Sequence, residues 1–288
     1  MDVFLPATLE EALEIKAGRP ETVPIAGGTD LMVELNFDRH RPEAMMDISR
    51  LGELQQWRRE DGEVFLGSGV TYTRIMEELA DVPAWVQAAR TVGSPQIRNR
   101  GTVGGNLGTA SPAGDALPVL AALDAQIVLT KVGGQQRTLP WNEFIVGVKK
   151  TAMHPDELIL RTRWRSFRGT GSFSKIGTRN AMVISVAGLC LQIDEDRREV
   201  RVALGSVGPT ILRVPDAESF AAEAMSREGT WDDPTAPIGE EAVEGFAERV
   251  AAGARPIDDV RGSAAYRRHA CAVLAKRSLS WALGARAG

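Results

Sequence analysis

Gly93-Ser94-Pro95-Gln96-Ile97-Arg98-Asn99-Arg100-Gly101-Thr102-Val103-Gly104-Gly105-Asn106-Leu107-Gly108-Thr109-Ala110-Ser111-Pro112-Ala113-Gly114-Asp115 is the stretch on which the reading of this chain turns. From Thr102 onward it has the composition of a loop that cradles an anion. Glycine lets the backbone adopt positive φ and approach a ligand closely, so that successive N–H groups converge, and a helix amino terminus directly after such a loop adds its dipole. Thr102, Asn106, Thr109 and Ser111 supply neutral hydrogen-bonding side chains that hold an anion or a hydroxyl without adding charge.

A shorter segment, Pro24-Ile25-Ala26-Gly27-Gly28-Thr29-Asp30, repeats the pattern nearer the start. A lone Gly-Gly reads best as a tight turn between a strand and a helix, but two such segments of this polarity point to a ligand with more than one phosphate. The common nucleotide fingerprints do not fit. No G-x-x-x-x-G-K-[ST] occurs, and Gly67-Ser68-Gly69 lacks the third glycine of G-x-G-x-x-G, which argues against P-loop and Rossmann binding.

Around these segments, 288 residues of which 43% are hydrophobic can bury a sizeable core divided into lobes. A net charge of -4 gives no general electrostatic reason to bind nucleic acid or an anionic membrane, and the pairs Arg58-Arg59 and Arg267-Arg268 read as solvated surface. No apolar run reaches the ~18 residues of a membrane span, and Met1 to Pro6 lacks the basic and apolar regions of a secretory signal. A cytoplasmic protein is expected. Cys190 and Cys271 form no C-x-x-C pair, so they read as small buried residues rather than as metal ligands or a disulfide. His40, His154 and His269 lie outside both glycine segments and read as structural or exposed, and the dispersed Trp57, Trp85, Trp141, Trp164, Trp231 and Trp281 suit packing or interfaces. No Ser/His/Asp or paired-carboxylate constellation stands out, so no catalytic residue is assigned.

The expected fold class is α+β, with lobes at 1–58, 59–166 and 167–288. Thr8 caps a first helix with Glu11 completing a capping box, followed by short strands at Thr22 to Ala26 and Met46 to Ile48 with a helix from Asp30 through Leu35 between them. The second lobe reads as strand and turn at Val64 to Gly69, helix at Thr73 to Leu79, helix at Ala116 to Leu123 capped by Asp115, and strands at Ala125 to Val132 and Glu157 to Trp164. In the third, strands are expected at Ser172 to Gly177, Val183 to Ile193 and Val200 to Ser206. Helices follow at Ala242 to Ala252 and Ala264 to Leu283, the latter with Ala270, Val273, Leu274, Arg277 and Trp281 on one side.

Four stretches together, Ala26 to Asp30, Gly93 to Asn106, Ser174-Lys175-Ile176-Gly177-Thr178-Arg179 and Pro256-Ile257-Asp258-Asp259-Val260-Arg261, carry a resemblance that covers nearly the whole chain. It resembles the FAD-binding (medium) subunit of the xanthine dehydrogenase and carbon monoxide dehydrogenase family of molybdenum hydroxylases. The resemblance implies a vanillyl-alcohol-oxidase-like, PCMH-type, two-lobed FAD-binding domain followed by a smaller α+β C-terminal domain. It further implies that Pro24, Ile25, Ala26, Gly27, Gly28, Thr29 and Asp30 wrap the FAD pyrophosphate, and that Thr102, Gly104, Gly105 and Asn106 form the second loop, with Thr109 and Ser111 beside them. Asp115 would contact the ribityl or phosphate region, Ile159 would pack near the flavin or adenine, and Lys175 would lie near the isoalloxazine ring. A carboxylate beside pyrophosphate is repelled unless it faces away, so Asp30 is expected to cap backbone N–H groups or to accept from a hydroxyl. A cation at the pyrimidine edge stabilises the reduced ring; the alternative for Lys175 is a surface lysine on a strand.

The same resemblance implies noncovalent FAD, because neither glycine segment holds a histidine or cysteine, and it places the molybdenum cofactor and [2Fe–2S] clusters on partner subunits. The implied assembly is a dimer of heterotrimers with an iron–sulfur subunit and a molybdenum subunit, passing electrons through FAD to an acceptor such as NAD or quinone. Arg179 to Ser185 leans toward the xanthine dehydrogenase-like branch. Some relatives hold an iron–sulfur cluster in this subunit, which two separated cysteines cannot ligate. The alternatives are a self-contained FAD-dependent oxidoreductase of the same fold, and a scaffold whose glycine loops hold no cofactor.

Overall fold

Helix Leu9–Gly18 starts where the capping box puts it in the computed structural model, which describes residues 1–39 and 41–287. Thr8 Oγ1 accepts from the Glu11 N–H at 3.2 Å, satisfying a donor that the first turn leaves open, and the Glu11 carboxylate accepts in return from the N–H of Ala7, the residue before the cap, at 2.7 Å. His40, expected to be structural or exposed, lies outside the described residues.

The chain gathers into two compact units, each discontinuous in sequence: 1–75, 94–110 and 124–166 form the first, and 76–93, 111–123 and 167–288 the second. In the first unit, Asp2–Phe4 and Val23–Ile25 flank Ala44–Asp47 in a three-stranded parallel sheet. A five-stranded antiparallel sheet runs in the order Trp57–Glu60, Glu63–Gly67, Leu158–Arg165, Gln126–Lys131, Gln135–Pro140. Ala12 and Leu13 of the first helix, Met46 of the parallel sheet, and Val128, Leu158 and Leu160 of the antiparallel sheet share one apolar cluster. That cluster ties the two sheets together, each fully buried large side chain contributing roughly 1.5–3 kcal/mol.

In the second unit, a four-stranded antiparallel sheet runs Gly169–Ile176, Ala187–Asp194, Glu199–Gly205, Leu212–Arg213. All residues of Ala187–Asp194 are buried, so both faces of this strand are covered. Ala187, Leu189, Leu191 and Ile193 pack in one cluster with residues of the helices Pro215–Arg227, Glu240–Gly253 and Ala264–Ala287. Helices Pro83–Thr91 and Ala116–Ala122 also pack on the sheet. Cys190 and Cys271 are free and buried, and burial pushes the Cys271 thiol up to about 12.

Several sequence expectations shift. The strand expected from Val183 begins only at Ala187. On the last helix the buried side carries Ala270, Cys271, Leu274, Ala275, Ser278 and Leu279, while Arg277 and Trp281, assigned to the same side as Ala270, are exposed. Alanine, cysteine and serine fill the seam against the sheet there, and they are too small to mark a helix face by hydrophobicity. Helices Pro83–Thr91 and Pro215–Arg227 lie outside the expected elements, although each opens on a proline at the favoured first position.

Candidate cofactor site

Strand Val23–Ile25 delivers the chain into a bend at Ala26 and Gly27, and helix Leu31–Asn36 follows. Gly28 has φ +74°, the left-handed region that glycine occupies without penalty. Among the described residues, the backbone N–H groups of Gly27, Gly28, Thr29 and Asp30 donate to no acceptor within the chain. Four consecutive open donors around a left-handed residue are the arrangement that an anion-binding nest requires. Gly27 has a separate duty, because a Cβ there would collide with the backbone carbonyl of Arg100.

Asp30 stands at the cap position of helix Leu31–Asn36, yet its side chain caps nothing. Its Oδ2 accepts from Thr109 Oγ1 at 2.9 Å, so of the two roles expected for this carboxylate the hydroxyl contact is the one present. The bond also joins the first glycine segment to the second.

The second segment is not the open loop its composition suggested. Val103–Thr109 is a short helix, with Thr102 Oγ1 accepting from the Gly105 N–H at 3.0 Å as its cap. The neighbouring donors are likewise committed: Val103 N–H to Val70 O, Gly104 N–H to Ser68 O at 2.8 Å, and Asn106 N–H to Thr102 O. Gly104 is glycine because a Cβ would sit 2.6 Å from Ser68 Cβ. What remains open is a side chain, since Asn106 Oδ1 is buried and has no hydrogen-bond partner. A buried amide oxygen without a donor costs about 1–3 kcal/mol, and a hydroxyl or N–H group of a ligand would remove that cost.

Ile159 is 8% exposed in strand Leu158–Arg165, at a register shift between Ile159 and Arg161 where it pairs with Gln126–Lys131. The same strand reaches the second segment through Ser68, whose N–H donates to Leu160 O at 3.1 Å while its carbonyl takes the Gly104 N–H. Ser68 is not among the residues expected at the site from the sequence. Its flanking glycines, Gly67 and Gly69, were the available signal: each packs against the Leu54 carbonyl.

In the second unit, Ser111 Oγ accepts from the Ala113 N–H at 3.3 Å. Asp115 precedes helix Ala116–Ala122 with helical φ and ψ and makes no cap, contrary to expectation, because its carboxylate is drawn elsewhere. Asp115 Oδ2 accepts from Lys175 Nζ at 2.5 Å, with both side chains 8% exposed. Lys175 is therefore no surface lysine. Its ammonium also donates to Thr91 O at 2.9 Å and Val183 O at 3.2 Å, which uses all three of its protons. Burial pushes the Asp115 carboxyl up, against the pull of the Lys175 ammonium and the Thr91 hydroxyl.

Open N–H donors and a buried amide oxygen without a partner are features that a nucleotide cofactor could use, and comparison with known proteins names the cofactor. Residues 1–163 match the FAD binding domain in molybdopterin dehydrogenase, and residues 173–282 match the CO dehydrogenase flavoprotein C-terminal domain. The chain is 35% identical over 206 residues to the nicotinate dehydrogenase FAD-subunit of Eubacterium barkeri, covering 67% of this chain and 69% of that protein. It is 29% identical over 293 residues to a putative xanthine dehydrogenase FAD-binding subunit of Escherichia coli, covering 98% and 96%. The solved carbon monoxide dehydrogenase of Hydrogenophaga pseudoflava superposes with a TM-score of 0.85 at 25% identity, over 100% of this chain and 98% of that one. The chain belongs to the family of FAD-binding subunits of the molybdenum hydroxylases.

Proposed function

We propose that this chain is the electron-transfer subunit of a cytoplasmic molybdenum hydroxylase complex, taking electrons from [2Fe–2S] clusters of an iron–sulfur partner and passing them to an acceptor such as NAD or quinone. The substrate would bind on a molybdenum-cofactor partner, and the assembly would be a dimer of heterotrimers. The Arg179 to Ser185 segment favours the xanthine dehydrogenase-like branch. The observation that carries the reading is the row of open N–H donors from Gly27 to Asp30, which suits the pyrophosphate of a dinucleotide.

In this reading FAD is held noncovalently by Pro24, Ile25, Ala26, Gly27, Gly28, Thr29 and Asp30, with Thr102, Gly104, Gly105, Asn106, Thr109, Ser111, Asp115, Ile159 and Lys175 as further contacts. The residues fit such a group. Gly27 to Asp30 supply the N–H donors, and the Asp30 carboxylate is engaged by the Thr109 hydroxyl. Asn106 supplies a buried amide to a ligand hydroxyl or N–H. Lys175 acts by charge rather than as a donor, its protons being committed, and Asp115 offsets much of that charge. FAD, when bound, supplies both one- and two-electron chemistry, which is what links single-electron iron–sulfur donors to a two-electron acceptor. No residue of the chain is assigned a bond-making role.

Purified chain denatured in acid should release FAD into the supernatant. Recovery of FMN alone, or of flavin still attached to the polypeptide, would contradict the binding mode.

A further inference from the structure

We propose that a cationic face of the five-stranded sheet, centred on Arg161, docks a carboxylate-bearing segment of a partner subunit. The inference rests on the reading that the chain works in a complex. Arg161 and Arg163 alternate along strand Leu158–Arg165, and Arg58 stands two strands away on Trp57–Glu60, beyond Glu63–Gly67. The Arg58 guanidinium lies 4.5 Å from the centroid of the Phe65 ring and that of Arg161 lies 5.5 Å from it, so two cations share one aromatic surface.

Two of the three guanidinium groups have acids of their own: Arg58 pairs with Glu60 at 2.8 Å and Arg163 with Glu63 at 3.3 Å. Arg161 has no carboxylate among the described residues, only Gln136 Oε1 at 3.4 Å. The Nε–H groups of Arg161 and Arg163 are buried and have no acceptor. Burial first, then the charges of Arg58 and Arg163, pull the Arg161 guanidinium below its ordinary range, so its charge is held less favourably there than in water. A chain of net charge -4 holding an uncompensated cation on a sheet face offers a place for an acid from outside. With Arg58 and Arg163 already paired to Glu60 and Glu63, one guanidinium is left without an acid, which matches a single carboxylate rather than a run of phosphates.

The position suits an electron donor. Gly104 N–H donates to Ser68 O and Ser68 N–H to Leu160 O, so Arg161 follows a residue tied by two backbone bonds to the second glycine segment. A partner seated on Arg161 would therefore sit near the segment proposed to hold the flavin.

The test is to co-express the complex with wild-type chain, Arg161→Gln, Arg161→Glu and Arg58→Glu. Recovery of partner subunits at low and high salt is measured, together with the melting temperature and FAD content of each free chain. Docking predicts that Arg161→Gln melts no lower than wild type and keeps its FAD, yet recovers partner subunits about tenfold less efficiently, with Arg161→Glu worse and wild-type recovery falling as salt rises. Arg58→Glu, on the exposed edge strand, should weaken assembly in the same direction. Equal recovery for all variants overturns the docking site while leaving the complex intact. A lowered melting temperature for Arg161→Gln with unchanged recovery assigns the cluster to the fold instead. Arg161-dependent binding to phosphatidylserine vesicles or duplex RNA, with assembly unchanged, also overturns it. Failure of the wild-type chain to recover any partner sinks the reading on which the inference rests.

Discussion

Gly28 and Thr109 divide the requirements of the proposed anion site between them: Gly28 supplies the left-handed turn beside the open N–H groups, and Thr109 donates a hydrogen bond to the one carboxylate in the segment, that of Asp30. Gly28→Val should therefore abolish FAD retention. Its strain at φ +74° costs roughly 1–2 kcal/mol, leaving a folded chain whose circular dichroism is near wild type. Gly105→Val makes a complementary test, since among the described residues its Cβ would meet only Thr102 Oγ1, at 3.2 Å; flavin loss with retained fold is expected, and normal FAD occupancy would show the pyrophosphate to be misplaced in the case of Gly28→Val, and would remove the second segment from the site in the case of Gly105→Val. Gly27→Ala should behave differently. Its Cβ strikes the Arg100 backbone, so it should lose folded protein and not merely flavin. Both segments were legible in the sequence as glycine-rich turns, but the division of labour within them was not, because which N–H groups are open depends on backbone pairing with Ser68 and Val70, far off in the chain.

At the scale of elements, the Asp115–Lys175 pair joins the entry to helix Ala116–Ala122 with strand Gly169–Ile176 and holds the carbonyl of Val183. Lys175→Met leaves Asp115 buried without its cation and should cost about 3–5 kcal/mol, whereas the double variant Asp115→Leu/Lys175→Met should recover most of that loss. A double-mutant cycle by denaturant unfolding reads this directly, and additive costs would contradict it. Arg137 and Glu157 form a second fastening, two hydrogen bonds of 2.6 and 2.7 Å that clamp strand Gln135–Pro140 to the start of the strand carrying Ile159. Burial alone would raise the Glu157 carboxyl, but the Arg137 pair and the His154 N–H outweigh it and hold the group below the usual carboxylate range. A depressed folded value means stability that is present above about pH 4.3 and lost as pH falls through the folded value, so Glu157→Gln should flatten the acid limb of the stability curve. An unchanged acid limb would contradict the assignment. The capping box at Thr8 was legible because its three partners lie within five residues. The helix Val103–Thr109 was not, since three glycines oppose it locally and tertiary pairing with Ser68 and Val70 sets it.

On the whole-molecule scale, the family followed from motifs spread over nearly the whole chain, whereas the Arg161 face left no local signature: Arg58, Phe65, Arg161 and Arg163 are brought together only by strand order. Among the described residues no helix is long and apolar enough to cross a membrane, and no cluster of histidine, cysteine or carboxylates could hold a metal. Under the proposed function the chain holds FAD and relays electrons, and substrate chemistry lies on a partner subunit. The most direct test compares hydroxylase turnover of the FAD-loaded chain alone with that of the chain recombined with its iron–sulfur and molybdenum partners. The account predicts bound FAD but no oxidation of purines, aldehydes or N-heterocycles by the chain alone, with flux returning when the partners are added. Robust substrate oxidation by the isolated chain, free of molybdenum and iron, would contradict it and identify a self-contained oxidoreductase.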